Sequence, residues 1–105
     1  MNETIRELML ANKESSEASR LASELDGIQS IVEPLVSVIR QAEEIPEEVQ
    51  EQCTELMEML AEARIKAHKK AQIMSESYAA LLEKYLEKSE LAERDENMKL
   101  VFKEV

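Results

Sequence analysis

Cys53, His68, Tyr78 and Tyr85 are the side chains with the most chemistry to offer, and none stands in a pattern that a reaction requires. Cys53 is the single thiol, set at helical spacing between Val49 and Leu56, with Gln52 and Thr54 beside it among glutamates. A reactive thiolate needs a neighbouring cation or base, so a buried, inert packing residue is expected. Its alternative role is an intermolecular contact across a dimer. His68 is the single histidine, and Ile65 occupies the place where a Glu-x-x-His metal motif puts its carboxylate. It reads as a surface histidine. One glycine cannot build a phosphate-cradling loop, and the glutamates fall off the apolar seams, which leaves no carboxylate metal site inside a bundle. The expectation is a non-enzymatic chain with no catalytic residue, no cofactor and no metal.

Tyr78 and Tyr85 are seven apart on one helical face, and core or partner packing with the hydroxyls at the rim is their ordinary role. They belong to a stretch, 46–88, that reads as one helix of about forty residues, a rod of roughly 60 Å at ~1.5 Å per residue. Its seam runs Val49, Cys53, Leu56, Leu60, Ala63, Ala67, Ala71, Met74, Tyr78, Leu81, Tyr85. Two consecutive steps of four at Ala63, Ala67 and Ala71 make a stutter and a ridge of small side chains. Pro46, followed by Glu47 and Glu48 at the positive helix end, starts the helix at its first turn.

Upstream, a second seam steps through Ala18, Leu21, Leu25, Ile28, Val32, Leu35, Ile39 and Ala42, widened by Ile31, Val36 and Val38. Gly27 and Pro34 sit inside it. Because the seam keeps phase across both, a continuous helix kinked at Pro34 is expected. The alternative is a break near Gly27 and a restart at Ser30, whose Ser30-x-x-Glu33 spacing fits a capping box. The short link 43–46 folds the two arms into an antiparallel hairpin. The chain is therefore read as one all-α domain. Residues 1–43 form the first arm, 46–90 the long second helix, and 91–105 a polar hinge with a short docked apolar tail. In that tail Met98, Val101, Phe102 and Val105 fit a helical face, while Met98, Leu100 and Phe102 fit a strand.

Composition agrees with this class. Ala, Glu, Leu, Lys, Met, Gln and Arg dominate, and these lose least on entering a helix; one Gly and two Pro are too few for the turns of a β-sandwich. The formal charge of −10 argues against free nucleic acid or an anionic membrane as a direct partner. The single thiol suits a reducing compartment, and the start Met1-Asn2-Glu3 lacks the features of a signal peptide. A soluble cytoplasmic protein is the expectation.

Charge is the one uneven feature. No Lys or Arg occurs from 42 to 63, yet Glu43, Glu44, Glu47, Glu48, Glu51, Glu55, Glu58 and Glu62 all fall there. In a hairpin they gather at the closed end, as a solvated surface or as an acidic tip that seats in a basic groove of a partner. Arg64, Lys66, Lys69 and Lys70 follow as a basic collar, opposite Glu17, Glu24 and Asp26, where interhelical ion pairs can set the register. Without interleaved aromatics the collar makes a poor nucleic-acid site.

Three functional readings follow. The first is an interaction module of inhibitor, adaptor or chaperone type, binding a protein partner through apolar seams and the acidic tip. One form of it is a small phage or bacterial regulator competing for a basic groove. Its apolar candidates are Ile31, Val38, Met57, Met74, Tyr78, Tyr85, Met98, Val101 and Phe102. The second is a structural or scaffolding coiled-coil subunit. The third rests on a resemblance: length and central turn are similar to the small secreted helical hairpins with a Trp-x-Gly turn. Glu44-Ile45-Pro46 stands in place of that turn, so only the architecture is shared, and it implies a small exported partner. A lone hairpin has little core, so self-association into a four-helix assembly, or a constitutive partner, is expected.

Overall fold

A computed structural model describes residues 3–90 and 92–102. Val105, the last position of the expected apolar tail, and the start Met1-Asn2 lie outside them. Two helices, α1 (Glu3–Gln41) and α2 (Glu47–Lys88), fold back on each other as an antiparallel hairpin, 71 Å long and 17 Å in its thinnest direction. Two short strands follow, β1 (Ala92–Arg94) and β2 (Leu100–Phe102), paired antiparallel with Glu93 opposite Val101. The all-α hairpin read from the sequence is the observed fold.

α1 runs unbroken through Gly27 and Pro34, so the restart at Ser30 does not occur. The Ser30 hydroxyl donates instead to the Asp26 carbonyl one turn back, at 3.1 Å. A proline inside a helix removes one backbone bond and crowds the preceding turn, and α1 tolerates it because Val32, Val36 and Ile39 pack on α2 around it. At the other end of the link, Pro46 is the cap of α2 rather than its first helical residue. Its φ of −56° and ψ of 141° aim its carbonyl at the amides of Val49 and Gln50, at 3.0 and 3.3 Å.

The seam of α1 differs from the expected one at every second position. The side chains turned toward α2 are Leu8, Ala11, Ser15, Ala18, Ala22, Leu25, Gln29, Val32, Val36 and Ile39, in strict steps of three and four. Ala18, Leu25, Val32 and Ile39 were expected; Leu21, Ile28 and Leu35 are instead exposed, and Ala22, Gln29 and Val36 take their places. On α2 the correction is smaller. Leu56 is exposed and Met57 half-buried, so the double step of four lies at Val49, Cys53 and Met57, and the heptad is regular from there to Tyr85.

The physical reason is size. Ala18 and Ala22 meet the stretch of α2 that carries Ala67 and Ala71, and small side chains let helix axes approach more closely than leucines do. Ser15 and Ser75 show how close: their hydroxyls hydrogen-bond across the hairpin at 3.0 Å, from side chains one carbon long. A leucine at each alternate seam position would hold the helices apart and break this contact. Cys53, expected to be buried, is buried.

Gly27 sits mid-helix, and a Cβ added there would meet nothing within 4 Å. Gly27→Ala should therefore recover the helix propensity of alanine, about 0.8 kcal/mol, and raise the melting temperature by several degrees. An unchanged or lower melting temperature by circular dichroism would show that Gly27 has a role that its open surroundings hide.

Candidate functional site

The hairpin is a ribbon with two long edges, and they differ in chemistry. One edge holds the polar ties. The Asp26 carboxylate, from α1, accepts the Arg64 Nε–H at 2.9 Å and the His68 Nε2–H at 2.8 and 3.0 Å to its two oxygens. A carboxylate only accepts, so the proton lies on the histidine. These donors, His68 first and Arg64 second, hold the Asp26 carboxyl below its ordinary value of 3.8. Nearer the turn Arg40 Nη2 donates to Thr54 Oγ1 at 3.0 Å, and that hydroxyl donates to the Gln50 carbonyl. Crossings at 15 with 75, 26 with 64 and 68, and 40 with 54 keep one register from residue 15 to residue 40 of α1.

The other edge is apolar. Leu21 and Lys70 meet there in a groove with Ala18, Ala67 and Met74, and Glu14 and Glu17 line the same groove. Residues seven apart share a face of a coiled-coil helix. Ile28 and Leu35 therefore follow Leu21 toward the turn, while Ala63 and Leu56 follow Lys70 beside them. Ile31 and Val38 on α1, and Met59 on α2, lie one step further out and are 73%, 67% and 68% exposed. The closed half of this edge is one continuous flank built by both helices. Ile28, Ile31, Leu35, Val38, Leu56 and Met59 are all exposed along it, and a row of exposed apolar side chains marks an interaction surface.

The other expected site residues fall in different places. All eight glutamates of the acidic tip are exposed: Glu43 and Glu44 in the link, the rest spread over the first half of α2. Among the described residues only Glu62 of the eight takes an ion pair, to Lys66 on its own helix at 3.0 Å. Of the collar, Arg64 alone crosses to α1; Lys69 and Lys70 take no ion pair among the described residues. Met57, Met74, Tyr78 and Tyr85 are half-buried and serve the hairpin's own seam. Ile31 and Val38 are on the flank.

Met98, Val101 and Phe102 stand apart, exposed on the β-hairpin. What docks this segment is polar. Arg94 of β1 reaches α2 through Glu83 Oε2 at 2.7 Å and Glu87 Oε1, and its Nη1 donates to the Met98 carbonyl. The two carboxylates raise the Arg94 pKa above its ordinary value, Glu83 foremost. Asp95 folds the turn, its Oδ1 accepting the amides of Asn97 and Lys99 at 2.9 and 2.8 Å, while Met98 adopts a φ of 61°. The expected polar hinge is thus β1 and its turn. Asp95 followed two residues on by Asn97 is a turn signature that could have marked it.

Sequence reasoning assigned His68 to the bare surface. It is exposed, yet it is bonded to Asp26. Its distance of four from Arg64, facing the one aspartate of α1, was the available signal. Among the described residues no group of three or more His, Cys, Asp or Glu could hold a metal ion, and no helix is long and apolar enough to cross a membrane.

The Asp26 carboxyl binds its proton more weakly folded than unfolded, so as pH falls the unfolded chain is protonated first. Its stabilising contribution is complete above the ordinary carboxylate value and is lost as pH drops through the lower folded one. Urea melts at steps from about pH 6 to pH 3 should therefore show a steeper acid loss in the parent than in Asp26→Asn, and a less stable variant at neutral pH. Parallel pH profiles would remove Asp26 from the forces that hold the register.

Comparison with known proteins found no matching family model, no similar curated protein and no similar solved structure.

Proposed function

We propose that this chain is a non-enzymatic protein-interaction module of inhibitor, adaptor or chaperone type, and that the apolar flank of its closed half is the binding surface. The observation that carries this reading is the exposure of Ile28, Ile31, Leu35, Val38, Leu56 and Met59 along one edge while Gln29, Val32, Val36, Met57 and Leu60 fill the seam beside them. At 28 against 29 and at 35 against 36 the larger apolar side chain is the exposed one, and a row of exposed apolar side chains marks an interaction surface. The glutamates around the turn give that end a strong negative field, which steers encounter with a basic surface more than it adds affinity. Competition for a basic groove on a partner belongs to this reading. The 71 Å length of the ribbon favours a second reading, a structural or scaffolding subunit, through the same flank.

A photo-crosslinking residue placed at Ile31 or Val38, with Ser37 on the polar edge as control, tests the flank directly. Irradiation in the source cells should give a discrete protein adduct from positions 31 and 38 and little from 37. Equal yields from the two edges would reject the flank as the binding surface.

A further inference from the structure

We infer that the closed half of the hairpin has a second packing at the same register. In it both helices turn about their axes, and Ile28, Leu35 and Leu56 move from the exposed flank into the seam. The polar edge is the latch that holds the observed packing. The inference stands on the seam pattern and goes beyond the use of the flank as a binding surface: it makes that surface one the chain itself covers.

Two seams are written into each helix, and they share most of their positions. On α1 the observed one takes Leu25, Gln29, Val32, Val36 and Ile39; the second takes Leu25, Ile28, Val32, Leu35 and Ile39. On α2 the observed one takes Cys53, Met57, Leu60, Arg64 and Ala67; the second takes Cys53, Leu56, Leu60, Ala63 and Ala67. Each alternative lies one residue before its counterpart, and all four lie on the apolar edge. A turn of each helix by about half the ~100° between neighbouring residues therefore brings that edge in and swings the polar edge out. The second seam is apolar throughout. The observed one includes Arg64 and Gln29, whose Oε1 is buried without a partner among the described residues.

Both helices have joints for this turn. On α2 the observed seam makes its double step of four at Val49, Cys53 and Met57, and the second makes it at Ala63, Ala67 and Ala71. The stutter has only moved, and the seam from Ala71 onward keeps its place. On α1 the second seam needs two consecutive steps of three, Ala22 to Leu25 to Ile28, which overwind a coiled coil locally. Gly27 lies inside that stretch with open space around it, and Pro34 leaves the following turn one backbone bond short. The alanine contacts of the far half, with Ser15 on Ser75, stay as they are. What opposes the turn is the polar edge. The bonds of Asp26 to Arg64 and His68, and of Arg40 to Thr54, lie on the side that swings outward, so they belong to the observed packing alone.

Thiol labelling tests this within one molecule. Val36 and Cys53 are buried alike, 5% and 7% exposed, and each lies seven residues from the link 43–46, so fraying or unfolding uncovers both together. The second packing turns residue 36 outward and keeps Cys53 in the seam. The full chain carrying Val36→Cys, kept reduced, is alkylated under native conditions, and each rate is taken relative to that of the unfolded chain by mass spectrometry of the two peptides. Position 36 should react about tenfold faster than Cys53, or more, through the minor packing. Asp26→Asn, which weakens the latch, should raise that ratio; Gln29→Leu, which makes α1's side of the observed seam apolar, should lower it. Equal rates at the two positions overturn the second packing, as does a ratio indifferent to both substitutions. Either result leaves the flank standing as a binding surface, because crosslinking from Ile31 and Val38 draws on the observed packing.

Discussion

Close approach of the two helices through alanine and serine is the constraint on which the rest of the structure depends. Where Ala18 and Ala22 face α2, the backbones come near enough for Ser15 and Ser75 to bond directly. That proximity fixes the register, and the register brings Asp26 to Arg64 and His68 and Arg40 to Thr54. It also sets the rotation of α1 about its axis. Ala22 can face the partner helix only if Leu21, one residue earlier, is turned some 100° away. Ile28 and Leu35 inherit that rotation seven and fourteen residues later, so the exposed flank is a consequence of the small-residue seam.

Polar residues inside the seam have a related effect. Ser15 and Gln29 both occupy positions where an apolar side chain would stabilise the pair more. Gln29 leaves its Oε1 buried without a partner among the described residues, its amide reaching Glu33 at 3.4 Å. Polar seam residues of this kind trade stability for a single alignment. With Gly27 and Pro34 in the same helix, α1 is held helical by packing rather than by local preference.

The hairpin itself was legible because period, link and charge agree: two long heptad patterns, one proline-marked turn, and few residues that build anything else. The seam of α1 was half legible. Hydrophobicity favours Leu21, Ile28 and Leu35 over Ala22, Gln29 and Val36 at every choice, and closeness of approach is a pair property that one helix's pattern does not carry. Of the candidate surface, Ile31 and Val38 were found from their excess over a simple seam. Leu56 and Met59 were not assigned to it, since their side of α2 depends on where the double step of four falls. The role of Arg94 was hidden for a similar reason: its partners Glu83 and Glu87 lie on another element.

The sequence separations of the crossing bonds carry a consequence for how the hairpin forms and breathes. Arg40 with Thr54 spans 14 residues, Asp26 with Arg64 spans 38, and Ser15 with Ser75 spans 60. Loop closure costs only about 0.6 kcal/mol more for each doubling of length, and each bond made near the turn shortens the loop left for the next. Formation outward from residues 43–46 therefore costs the least loop entropy at each step. At the far end Arg94 ties the β-hairpin to α2 through Glu83 and Glu87, so that segment moves with the second helix.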